Sequence, residues 1–93
     1  MKRTSAEKFA KELGISRARG IEAVIKAQLI RAIMDAARKQ KITHDQIAKR
    51  SGVPRSAVTG ILSGSLQKVS LDRVLKLIEA VNLTAEVRTR KAA

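Results

Sequence analysis

The residues able to do chemistry in this 93-residue sequence are few and unevenly placed. There is one histidine, His44, and there is no cysteine or tyrosine. The 8 carboxylates are not clustered, and no glycine-rich loop is spaced to cradle a phosphate. Nucleophilic and metal-dependent catalysis both lack their parts, so a non-enzyme without cofactor or metal is expected. What remains is a set of hydrogen-bonding side chains between positions 43 and 68. Arg55, Ser56, Thr59, Gly60 and Ser63 recur at helical spacing, all small or basic. A glycine inside a helix costs about 1 kcal/mol relative to alanine, so something other than helix stability favours Gly60, and close approach to another surface is the natural candidate. No Asp or Glu occurs from Gln46 to Leu71, whereas Lys49, Arg50, Arg55 and Lys68 do. That stretch suits a polyanion such as a phosphate backbone.

The whole chain agrees with this bias without locating it. Lys and Arg number 20 against 8 Asp and Glu, a formal charge of +12. Apolar residues make up 44%, enough for a core in one domain, so the chain is not merely a charged tail. No stretch approaches the roughly 20 apolar residues of a spanning helix, and no signal peptide is expected at the N-terminus. A cytoplasmic protein follows as the expectation.

These donors must be positioned by helices. Thr4-Ser5-Ala6-Glu7 has the capping-box pattern, and Phe9 and Leu13 share a face of a short helix that Gly14 ends. Ser16 caps a long helix to about Lys41, with Ile21, Ile25, Leu29, Ile33 and Ala36 on one side and Glu22, Lys26, Arg31, Asp35, Arg38 and Lys39 opposite. Thr43 and Gln46 form a second capping box, and Ile42 with Ile47 a hydrophobic staple, for a helix reaching Ser51. Gly52 supplies a left-handed exit, Pro54 opens the helix Arg55 to Leu62, and Ser63-Gly64-Ser65 ends it. Ser70 opens a last helix to about Val81, with Leu71, Val74, Leu75 and Ile78 inward. From Leu83 the period becomes two: Leu83, Ala85 and Val87 alternate with Thr84, Glu86 and Arg88, as in a strand.

Two short helices meeting at Gly52 make a helix-turn-helix, with Ile47, Ala48, Val53, Val58 and Ile61 as its small core. Set into a DNA major groove, the second helix would offer Arg55, Ser56, Thr59 and Gly60 to bases. Thr43, His44, Lys49, Ser63 and Lys68 would meet the backbone. Plainer roles stand beside these. Arg55 is otherwise a solvated helix-start residue, His44 an ordinary exposed histidine, and Lys49 and Arg50 solvated surface, as Arg73 and Lys76 are read to be.

Residues 42–64, ITHDQIAKRSGVPRSAVTGILSG, resemble the helix-turn-helix of the Cro and phage-repressor type, the XRE family. Residues 65–88, SLQKVSLDRVLKLIEAVNLTAEVR, and the KAQL of Lys26 to Leu29 are similar to a subgroup that includes HigA-type antitoxins. The resemblance runs from about Ala6 to Arg88. It implies an all-α, five-helix repressor-like domain with a short C-terminal strand. It also implies a homodimer on a palindromic operator in double-stranded DNA, and often a RelE/HigB-like ribonuclease toxin as partner. Positions matching Arg55, Ser56 and Thr59 read bases in that family, and those matching His44 and Ser63 meet backbone. The sequence departs from the pattern at His44, where glutamine is common, at Pro54, where a capping serine or glycine is frequent, and at Gly60, where a longer residue is frequent.

Three segments result: a basic arm with a short helix (1–15), the DNA-binding domain (16–82, with 43–63 as its helix-turn-helix), and a dimerisation strand with a basic tail (83–93). Antiparallel pairing of Thr84, Ala85, Glu86, Val87 and Arg88 with the same residues of a second chain would satisfy their backbone. Otherwise residues 83–93 fray. The rival function is a protein-interaction module that neutralises a toxin by covering it, with residues 1–20 as a docking arm and Phe9 as an anchor rather than a core plug. A membrane-surface role for the long helix is the third reading, disfavoured because its apolar face lacks aromatics and is needed for the core.

Overall fold

A computed structural model describes residues 14, 16–64 and 69–92, and among these four α-helices follow one another. They are α1 (Arg17–Gln40), α2 (His44–Ser51), α3 (Arg55–Leu62) and α4 (Leu71–Ala80). The fifth expected helix, at Thr4 to Leu13 with Phe9, lies outside the described residues, as does Lys68.

The helix starts obey their local chemistry. Ser16 Oγ accepts from the Arg19 amide at 3.3 Å and Ser70 Oγ from the Arg73 amide at 3.2 Å. At Thr43 both halves of the capping box form: Thr43 Oγ1 accepts from the Gln46 amide at 3.2 Å, and Gln46 Oε1 accepts from the Thr43 amide at 2.9 Å. Two helix ends are closed by non-glycine residues in the left-handed region. Lys41 (φ 57°) lets the Ile42 amide reach Ala37 O at 2.9 Å, and Asn82 (φ 63°) lets the Leu83 amide reach Ile78 O at 3.1 Å. Both are Schellman closures, in which backbone amides beyond the helix satisfy its last carbonyls.

All four helices contribute to one core. Ile33 of α1, Ile47 of α2, Val58 of α3 and Val74 and Leu77 of α4 are fully buried, with Val81 beside them. α1 packs chiefly on α4, and α2 on both α3 and α4. Polar side chains join the ends of these elements. Gln40 Nε2 donates to Val81 O at 2.8 Å, Asn82 Nδ2 donates to Gln40 Oε1 at 2.8 Å, and Arg50 Nη1 donates to Ala80 O at 3.2 Å. Arg50 is therefore a helix-end brace, supplying cation and donor at the negative end of α4.

The structure corrects three expectations. α1 buries Ile30, Ile33 and Ala37, while Ile25, Leu29 and Ala36 are half-buried and Ile21 is 38% exposed. Its apolar residues extend round much of the circumference, so several stripes have helical spacing, and the fit against α4 decides among them. The same rotation buries Lys26, expected on the polar side, where its Nζ meets Glu22 Oε1 at 2.9 Å. That hydrogen bond, then the charges of Lys26 and Arg19, hold the Glu22 carboxyl below its ordinary pKa. The pair therefore stabilises the fold above the ordinary carboxylate pKa, and this is lost as pH falls through the lowered value. In α4, Leu77 is buried, whereas Leu71 and Leu75, expected inward, are 37% and 45% exposed.

The third correction concerns the C-terminal strand. Beyond the half-buried Leu83, Thr84 to Ala92 are exposed and form neither helix nor strand, and Val87 is 82% exposed. Alternation gives a segment only the capacity to pair. Among the described residues no strand is present to complete the ladder.

Two stability measurements check this account. Lys41→Gly should raise the unfolding free energy in urea by about 1 kcal/mol, because glycine enters the left-handed region without a Cβ penalty; a loss would contradict the closure described. Ile33→Ala should cost about 2–5 kcal/mol through the cavity it leaves, and a change below 1 kcal/mol would show that α1 is not part of the common core.

Candidate nucleic-acid interface

The interface starts from the turn. Gly52 closes α2 at φ 75°, and its amide donates to Ala48 O at 2.9 Å. The chain leaves at an angle that no ordinary side chain accommodates well. Ser51 Oγ accepts from the Val53 amide at 3.1 Å, steadying the turn, and Pro54 (φ −56°) enters α3 without a side-chain cap. Ile47, Val53, Val58 and Ile61 are buried where the two helices meet, with Ala48 packed against them. Gly52, expected as part of that core, makes the turn beside it and is itself exposed.

With one side of α3 held by that core, its other side is presented outward. Arg55, Ser56, Thr59 and Ser63 are exposed and Gly60 is half-buried. A Cβ built on Gly60 meets nothing within 4 Å. Packing within the described chain therefore does not require glycine there, and the space in front of it is open.

Two contacts join this face to the first turn of α2. His44 Nδ1 lies 3.0 Å from Thr59 Oγ1, and Arg55 Nε forms an ion pair with Asp45 Oδ1 at 3.1 Å. The structure thus brings together His44, Arg55 and Thr59, and adds Asp45 from the first turn of α2. Asp45 lies one position before the acid-free stretch, yet the fold places its carboxylate beside the outward face of α3. Arg55 and Asp45 side chains remain 67% and 61% exposed; an ion pair so solvated contributes about 0–1 kcal/mol to stability at most.

The other site residues are placed less directly. Thr43 Oγ1 is engaged in the α2 cap, leaving its hydroxyl hydrogen for another acceptor. Ser63 Oγ donates to Gly60 O at 2.9 Å, closing the end of α3, with its lone pairs still available. Lys49 is exposed one helical turn after Asp45. Arg38 and Lys41 lie at the C-terminal end of α1. The structure sets them beside Ile42, His44, Thr59 and Ser63 around an open groove of about 540 Å³ between α1 and α3. No short-range signal announces that meeting, because it depends on the angle between the two helices.

Among the described residues, no three His, Cys, Asp or Glu side chains gather to hold a metal ion. Nor is any helix there long and apolar enough to cross a membrane.

Residues 9–90 match the family model described as helix-turn-helix domain. The chain belongs to the helix-turn-helix domain family. No curated protein and no solved structure matches it. The match takes in all four helices of the described residues, and a helix-turn-helix domain is a DNA-binding unit.

Since Gly60 faces open space, Gly60→Ala should stabilise the free domain by about 0.5–1 kcal/mol in chemical denaturation. The same methyl should weaken binding to duplex DNA if the glycine serves close approach. Destabilisation by alanine would show instead that Gly60 is required by the fold.

Proposed function

We propose that this helix-turn-helix domain is a sequence-specific transcriptional regulator, a repressor, that inserts α3 into the major groove of operator DNA. The observation that carries the reading is the outward face of α3. It is small and basic, its one neighbouring acid is already paired with Arg55, and the space before Gly60 is open. Arg55, Ser56 and Thr59 meet base edges, with the Gly60 backbone closest to the groove. Thr43, His44, Lys49, Ser63 and Lys68 meet phosphates. The protein acts without catalysis or cofactor, in the cytoplasm, where its DNA lies.

Two such domains form a homodimer on a palindromic site. The support is the exposed run Thr84 to Arg88, where the sequence alternates and Val87 is 82% exposed in the single chain. Pairing of these runs across a two-fold axis would satisfy their backbone groups and set two α3 helices about 34 Å apart, one turn of duplex. The XRE-type assignment rests on the resemblance of residues 42–64. An antitoxin role toward a RelE/HigB-like toxin rests on the resemblance of residues 65–88 and of the KAQL segment.

Titration onto duplex DNA from upstream of its own reading frame, at several salt concentrations, tests the reading. Four phosphates neutralised per protomer give the dimer a log–log salt slope of about −7, whereas a slope near zero, or equal affinity for unrelated duplex, contradicts operator binding. Arg55→Ala should relax discrimination at one base pair by about 1–3 kcal/mol, while a uniform loss across sequences would make Arg55 a phosphate contact. Val87→Pro should sediment as a monomer, and an undisturbed dimer would refute the strand pairing.

A further inference from the structure

The contact between Asp45 and Arg55 has a role that stability does not explain. Both side chains are largely exposed, and the carboxylate pairs not with Lys49, one turn along its own helix, but with a guanidinium ten residues away on α3. The nearest approach is at Nε of Arg55, 3.1 Å from Asp45 Oδ1. Guanidinium carries five N–H groups, one on Nε and four on the terminal nitrogens. The carboxylate approaches the guanidinium on its Nε edge, and the terminal nitrogens point away from that edge, where they suffice for an end-on, two-bond contact with guanine O6 and N7.

We propose that Asp45 is a specificity-determining residue: its carboxylate holds the Arg55 guanidinium by Nε so that the terminal nitrogens are aimed at guanine. The proposal rests on the DNA-binding reading above and adds to it. A flexible arginine at the start of a recognition helix has two uses, a guanine or the nearest phosphate. The tether restricts the swing toward phosphate, and the carboxylate itself repels the duplex backbone. Asp45 thus lowers affinity for every sequence while making the loss smaller where guanine stands opposite Arg55. Specificity comes from penalising the wrong complexes as well as from the right contact. The second contact, His44 Nδ1 to Thr59 Oγ1 at 3.0 Å, helps keep the first turn of α2 seated on α3 so that the carboxylate stays in reach.

The test uses the full chain and a library of randomised duplexes, with wild type, Asp45→Asn, Arg55→Ala and the double variant selected in parallel. Binding to the enriched duplex is then compared with binding to its single-base-pair variants and to an unrelated duplex. Asp45→Asn keeps the side-chain shape and sits on the surface, and circular dichroism confirms the fold of each variant. Wild type should prefer guanine at one position per half-site. Asp45→Asn should reduce that preference by about two- to fivefold, what a solvated ion pair can add, without weakening binding to the unrelated duplex. Arg55→Ala should abolish the preference, and the double variant should lose no more than Arg55→Ala alone. An unchanged guanine preference in Asp45→Asn, an equal loss on all duplexes, or additive losses in the double variant would each overturn the positioning role. A wild type that enriches no sequence at all would instead defeat the DNA-binding reading, and this proposal with it.

Discussion

The seat of α3 on α2 is the constraint on which the rest of the molecule depends. Each helix has only eight residues, too few to hold its shape alone in water. They persist because Ile47, Val53, Val58 and Ile61 are buried together across the left-handed turn at Gly52. That packing leaves α3 no freedom to roll. Its opposite face, Arg55 to Ser63, is consequently a fixed display, and the contacts from His44 and Asp45 reach it only because the same packing brings the start of α2 against it.

The remaining helices hold that seat in place. α4 receives α1 on one side and α2 on another, and its C-terminal carbonyls are met by Gln40, through Val81 O, and by Arg50, through Ala80 O. Both bonds cross between elements distant in sequence. Their donors stand on α1 and on the helix-turn-helix, so a single helix end links the scaffold to the functional unit. A cationic side chain at that end also complements the helix dipole.

What was legible in the sequence is what short-range chemistry decides. The caps at Ser16, Thr43 and Ser70, the glycine exit at Gly52 and the small core around it are each dictated within a few residues, and all are found as read. The facing of α1 was not legible. Apolar residues surround much of that helix, and only its contact with α4 selects Ile30, Ile33 and Ala37 for the interior. Leu75 and Leu77 differ in burial for the same reason. In the site, the residue types on α3 were visible, whereas the contacts of Arg55 with Asp45 and of Thr59 with His44 span ten and fifteen positions and depend on a crossing angle. The run from Thr84 carries a strand's alternation, but a strand also needs an edge, which the described residues do not supply.

The central claim is that DNA meets the chain on the outward face of α3 with the first turn of α2. Backbone amide shifts followed by NMR as the enriched duplex is added to the full chain test it most directly. The account predicts that the largest changes fall on His44, Asp45 and Arg55 to Ser63, with the exposed Leu71 and Leu75 of α4 little affected. Changes centred on Leu71 and Leu75, with α3 silent, would contradict it.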